Sequence, residues 1–99
     1  MIKPVILTPI ANEDLENISD WLAKVWGVKV LFNFFDLYEA KIRTIAEFPS
    51  RYPIIHPPSK LRKAVLTKHN IILYREKEEY IEIVSIFDTR QDPDKIRNL

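Results

Sequence analysis

The sequence has no cysteine, a single glycine and no uninterrupted apolar run of membrane-spanning length. Without cysteine there are no disulfides and no thiolate metal sites, which hints at a reducing compartment. No metal and no cofactor are expected. The opening MIKPVILTPIANEDL reaches acidic residues after a short apolar run, so it lacks the apolar core of a signal peptide. No stretch approaches the roughly 20 apolar residues of a membrane span. A cytoplasmic protein with no membrane contact is the expectation. Neither sign of charge predominates: the net charge of +1 says little about partners. Internal repeats and low-complexity segments are absent.

What is present suffices for one packed core. Ninety-nine residues make a single domain spanning 1–99. The hydrophobic fraction of 46% is well above that of a disordered chain. The charges, although balanced in sum, are unevenly placed. Between Arg51 and Arg75 stand Arg51, Lys60, Arg62, Lys63, Lys68 and Arg75, together with His56 and His69, and no acidic residue. Glu13, Asp14, Glu16 and Asp20 crowd one early segment instead. Either these are ordinary solvating charges or the chain presents one basic face.

Periodicity divides the chain into elements. KPVILT, residues 3–8, reads as a short strand rich in β-branched residues. Pro9 then suits the first turn of a helix that Thr8 can cap, with Glu13 and Asp14 near its positive end. Leu15, Ile18, Leu22 and Val25 form a helical stripe, and Gly27 fits the helix end. A second stripe runs through Leu31, Phe34, Phe35, Tyr38, Ile42, Ile45 and Phe48 before Pro49 stops it. The pair should fold back as an αα-hairpin, its aromatics serving the core.

The stretch PSRYPIIHPPSK carries four prolines in a dozen residues. That excludes helix and central strand and predicts a stiff connecting loop. Strands are expected over 61–67, 70–75 and 80–88, joined by short polar turns as an antiparallel meander. In the last, strict alternation sets Ile81, Ile83, Ser85 and Phe87 against Tyr80, Glu82, Val84 and Ile86. The tail from Thr89 to Leu99 is polar and expected to be mobile without a partner. The order β-α-α-β-β-β gives a two-layer α+β fold, with an αα-hairpin on one face of a mostly antiparallel four-stranded sheet. The other sheet face would be left uncovered for a substrate or partner.

Three segments carry a family resemblance. VILTPIANEDLENISDWL resembles the opening strand and acidic helix of the RelE/ParE superfamily of type II toxins. LRKAVLTKHNIILYREKEEYIEIVSIFDTRQDP is similar to their C-terminal sheet, through Leu61-Arg62, Ile72-Leu73-Tyr74-Arg75 and Arg90-Gln91-Asp92-Pro93. EFPSRYP resembles the helix-ending proline between them. The resemblance implies a small growth inhibitor neutralised by a cognate antitoxin, contacting operator DNA only through that antitoxin. Free toxin would act by one of two routes. RelE-type members cut messenger RNA at the ribosome; ParE-type members inhibit DNA gyrase. An inactive relative that only binds an antitoxin is the third reading.

Metal-independent RNA cleavage needs a base for the 2′-hydroxyl, cations for the phosphorane and an acid for the leaving oxygen. Arg62, Lys63, Lys68, Arg75 and Arg90 supply cations and are the candidates for contact with a nucleic acid or protein target. Acid and base are scarce. At the position where RelE-type enzymes place an arginine, this chain has about Ile71, and its tail lacks their closing Tyr or His. The place of a histidine common in relatives falls on Asp88, which cations would hold ionised. His69 in a turn and His56 in the stiff loop remain, with Arg62, Arg75 and Arg90 as the other catalytic candidates. These departures favour a ParE-like, non-ribonucleolytic toxin. Structural readings stand beside them: Arg62 and Arg75 pairing with Glu76 or Glu82, and Arg90 with Asp88, Asp92 or Asp94. Trp21, Trp26 and Phe32, taken as outward-facing, are the candidate antitoxin-binding residues. A homodimer built on the same residues is the alternative left open.

Overall fold

Among the described residues eight elements follow one another: β1 (Val5–Leu7), α1 (Pro9–Val25), α2 (Val28–Glu47), β2 (Ile54–His56), β3 (Leu61–Val65), β4 (Asn70–Glu76), β5 (Ile81–Asp88) and α3 (Asp94–Arg97). They are taken from a computed structural model, which describes residues 2–91 and 94–97. Part of the expected mobile tail, residues 92–93 and 98–99, lies outside the described residues.

The helix boundaries follow local chemistry. Thr8 caps α1, its Oγ1 accepting the Ala11 N–H at 3.1 Å, and Pro9 occupies the first turn. Glu13 and Asp14 lie beyond that turn, which holds no acidic residue. Gly27 separates the two helices at φ +91°, with its N–H on the Leu22 carbonyl. α2 ends at Glu47, just ahead of Pro49.

The sheet has the order β1-β5-β4-β3-β2, with β1 parallel to β5 and all other pairs antiparallel. The two-layer α+β architecture is as expected, but the sheet has five strands rather than four. The extra one, β2, lies inside the proline-rich stretch read as a loop. It sits at the outer edge beyond β3, where Pro53 and Pro57 have no ladder bond to forfeit.

Between the hairpin and the sheet lies the main core. Ala11 and Phe34 from the helices, Ile72 and Tyr74 from β4, and Ile81, Ile83 and Ile86 from β5 are buried there. Leu15, Ile18, Leu22, Phe35, Tyr38 and Ile42 pack against them. Val25 and Phe48, assigned to the same stripes, are instead exposed at the helix ends. Tyr74 is fully buried, and its hydroxyl donates to the Pro49 carbonyl at 2.7 Å, tying β4 to the chain leaving α2.

Strict alternation fails in β5. Leu73 pairs with Ser85 but the next residue, Tyr74, pairs with Ile83, so Val84 is an extra residue. The bulge switches parity. Ile86 joins Ile81 and Ile83 under the helices, whereas Phe87 joins Val84 on the reverse face. That reverse face is not bare as expected: Leu61, Ile71, Leu73, Val84 and Phe87 form a second buried cluster, with Ile96 of α3 against it.

Candidate functional site: the cleft at the end of strand β5

β1 accompanies β5 only from Ile81 to Ile83. Past that point side chains replace the missing strand. The Thr8 hydroxyl donates to the Val84 carbonyl at 2.7 Å. Asp14, from α1, accepts the Ser85 hydroxyl at 2.7 Å and the Ile86 N–H at 3.0 Å, both on Oδ2. Among the described residues, Ser85 is the one buried polar side chain. Its hydroxyl is therefore partnered, as burial demands.

Where these substitutes run out, a cleft of about 260 Å³ opens between α1 and the end of β5. Ile18, Leu22 and Ile86 supply its apolar lining; Asn17, Asn70 and Gln91 supply amides. Asp14, Asp88, Trp21 and Arg90 bring charge and an aromatic ring. Arg90 holds Asp88 bidentately, Nε to Oδ1 at 3.0 Å and Nη2 to Oδ2 at 2.8 Å. Its guanidinium also lies 5.9 Å from the Trp21 ring centroid. The Arg90 side chain and backbone hydrogen bonds hold the Asp88 carboxyl below its ordinary range, with the charges of Arg90 and His69 adding to the effect. Asp88 is thus an anion here and no proton donor near neutrality.

The other cations are dispersed. Arg62 pairs with Tyr74 in register and so faces the helices. Its Nη1 donates to the carbonyls of Tyr52 at 2.6 Å and Ser50 at 3.3 Å, pinning the loop after α2. No ion pair joins it to Glu76 or Glu82; Lys3 takes Glu76 instead. Arg75 does pair with Glu82, at 3.3 Å, and Nε donates to the Ser59 carbonyl. Lys63, next to Arg62 in β3, points to the opposite face. Lys68 and His69 are exposed in the turn between β3 and β4, and His56 is exposed with Nδ1 2.7 Å from Ser59 Oγ. Arg75, opposite Glu82, and Arg90, beyond Asp88, stand at opposite ends of β5, about 20 Å apart at strand spacing. One continuous basic face therefore does not form from these residues.

Trp21, Trp26 and Phe32 are exposed, by 47%, 62% and 62%. Only Trp21 lines the cleft. Sequence reasoning passed over Asp14, Asn17 and Gln91. The available signal for Asp14 was its helical phase, one turn from Ile18 and two from Trp21 on the same face. No helix among the described residues is long and apolar enough to cross a membrane.

With the geometry in hand, relatives can be compared. The family described as "ParE toxin of type II toxin-antitoxin system, parDE" matches residues 5–93. Comparison with curated proteins finds no match. Among solved structures, the chain is similar to one titled "Chromosomal ParDE TA system from P. aeruginosa", with a TM-score of 0.66 and 18% identity. The similarity covers 88% of this chain and 96% of that one, and it establishes a shared fold. The family match spans nearly all of the chain, from β1 past the Asp88–Arg90 pair, and the chain accordingly belongs to the ParE toxin family of type II toxin–antitoxin systems.

Proposed function

We propose that the chain arrests growth by engaging DNA gyrase, and that a cognate antitoxin neutralises it by covering its exposed apolar and cleft-lining residues. Membership of the ParE toxin family supports the toxin role. The observation that carries the choice of target is the engagement of the arginines. Arg62 secures two loop carbonyls, Arg75 bridges Ser59 and Glu82, and Arg90 is clamped by Asp88. A ribonuclease needs cations clustered around the scissile phosphate beside a titrating acid and base. Here the cations are spread over both sheet faces and both ends of β5, and the carboxylate beside Arg90 stays ionised. Protein binding asks less of the site than phosphodiester chemistry does.

Two measurements test the reading. Purified chain at micromolar concentration is expected to inhibit gyrase supercoiling; undisturbed supercoiling would count decisively against it. Transcript ends mapped after induction are expected to show no codon-phased cuts, and finding such cuts would assign the chain to ribosome-dependent cleavage. Growth unaffected by expression without antitoxin would reduce the chain to an antitoxin-binding relative.

A further inference from the structure

β5 is eight residues long, and β1 pairs with three of them. Thr8 and Asp14 satisfy the edge at the Val84 carbonyl and the Ile86 N–H. Farther on, the Thr89 N–H turns toward β4 and donates to the His69 carbonyl at 2.8 Å. Alternation along the strand then sends the Ile86 carbonyl and the Asp88 N–H the other way, into the cleft. An extended residue laid where β1 would continue meets both groups.

The side chain such a residue brings would lie among Asp14, Trp21 and Asp88, which share the cleft. Both hydrogen bonds of Asp14 fall on Oδ2, leaving Oδ1 as an acceptor. Asp88 is already neutralised by Arg90, so the lining carries two carboxylates against one guanidinium. Trp21 is half-exposed, and its ring already carries one cation nearby, the Arg90 guanidinium 5.9 Å from the centroid. Negative charge, an aromatic ring and an apolar floor together complement a lysine or arginine, whose stem is apolar and whose tip is charged. A phosphate would meet the uncompensated charge of Asp14 and a guanidinium already engaged by Asp88.

We propose that this cleft seats one extended residue of the antitoxin, with a cationic side chain. Its backbone pairs with Ile86 and Asp88 of β5, and its charged tip rests on Asp14 beside Trp21. The assignment of the occupant rests on the toxin reading above, but the binding chemistry is measured separately from toxicity.

The probe is a blocked peptide of alternating threonine and valine with one central arginine, titrated into the isotope-labelled full chain and followed by NMR. Shifts are expected at the Asp88 amide, the Asp14 carboxyl carbon and the Trp21 indole N–H. The same peptide with a central glutamate should bind about tenfold more weakly. Asp14→Asn, which keeps an oxygen for Ser85 and Ile86 while removing the charge, and Trp21→Ala, at a half-exposed position, should each erase most of that difference. Equal binding of the two peptides, or shifts confined to other surfaces, would overturn the proposal. So would tighter binding of an oligouridylate at the same residues, which would make the cleft a nucleic-acid site. A chain that still inhibits gyrase while ignoring the arginine peptide would sink the cleft assignment and leave the toxin reading standing.

Discussion

The carboxylate of Asp14 and the backbone amide of Ile86, 72 residues apart in sequence, meet at 3.0 Å, so that a helix side chain completes the edge of β5 where β1 no longer covers it. The same oxygen accepts the buried Ser85 hydroxyl. One acidic side chain thus fixes α1 against β5 at the mouth of the cleft.

Removing that side chain with Asp14→Ala strands two donors. A buried donor left without an acceptor costs roughly 1–3 kcal/mol, so the total loss should be about 3 kcal/mol. Asp14→Asn should lose much less, because an amide oxygen still accepts. Urea unfolding midpoints of the three proteins provide the comparison; equal midpoints for wild type and Asp14→Ala would show that the contact is idle.

Gly27 has φ +91° and ψ 171°, a combination essentially confined to glycine. A Cβ there would find open space, with nothing within 4 Å. Gly27→Ala is therefore expected to destabilise by about 1–3 kcal/mol through backbone strain alone, without any steric clash. Thermal unfolding measures this. An unchanged midpoint would mean that the helix junction relaxes to accommodate the methyl group.

Burial pushes the Tyr74 phenol from its usual 10.0 up to about 12, against a lesser lowering by the charge of Arg62. The folded state therefore holds this proton more tightly than the unfolded chain does. That contribution to stability is fully present below the unfolded value near 10 and is lost as pH rises toward 12. Tyr38, also raised by burial, acts in the same direction. Tyr74→Phe should cost about 1 kcal/mol at neutral pH through loss of the bond to Pro49, and should flatten part of the alkaline decline. Denaturant midpoints across that pH window decide it, a curve of wild-type steepness in the variant being the contrary result.

Arg90 keeps the Asp88 carboxyl below its ordinary range. Since the folded value is depressed, the pairing is intact above the usual carboxylate range and is lost as pH falls through the lowered value. In Arg90→Ala the Asp88 carboxyl carbon should titrate at higher pH than in wild type, by NMR. Its exposed position means that unfolding midpoints near neutrality should hardly move. An unshifted titration would show that the two side chains separate in solution.

Much of the fold was legible because its signals are local. The capping Thr8, Pro9 in the first helical turn, the lone Gly27 at the junction and Pro49 after α2 all act on their own backbone, so the helix limits follow from neighbouring residues. The hydrophobic stripes named the core residues of both helices except Ala11, whose side chain is too small to stand out in a pattern. Trp21 and Phe32 could be assigned to the surface because they fall off those stripes.

What the sequence by itself determined is therefore six of the eight described elements in their order, without β2 and α3, the two-layer class and the ParE-like resemblance, each written in residues close together along the chain. The tertiary structure alone decided three things. It placed Ile54–His56 as an edge strand, because only at an edge do prolines forfeit no ladder bonds. It inserted the extra residue at Val84, which exchanged the faces of Ile86 and Phe87, since a bulge arises from register between strands and not from the strand's own pattern. And it separated cations that stand close in sequence, turning Arg62 and Lys63 to opposite faces and leaving Arg90 with Asp88 and Trp21 at the cleft. Successive residues of a strand point in opposite directions, so a basic run in the sequence need not become a basic surface.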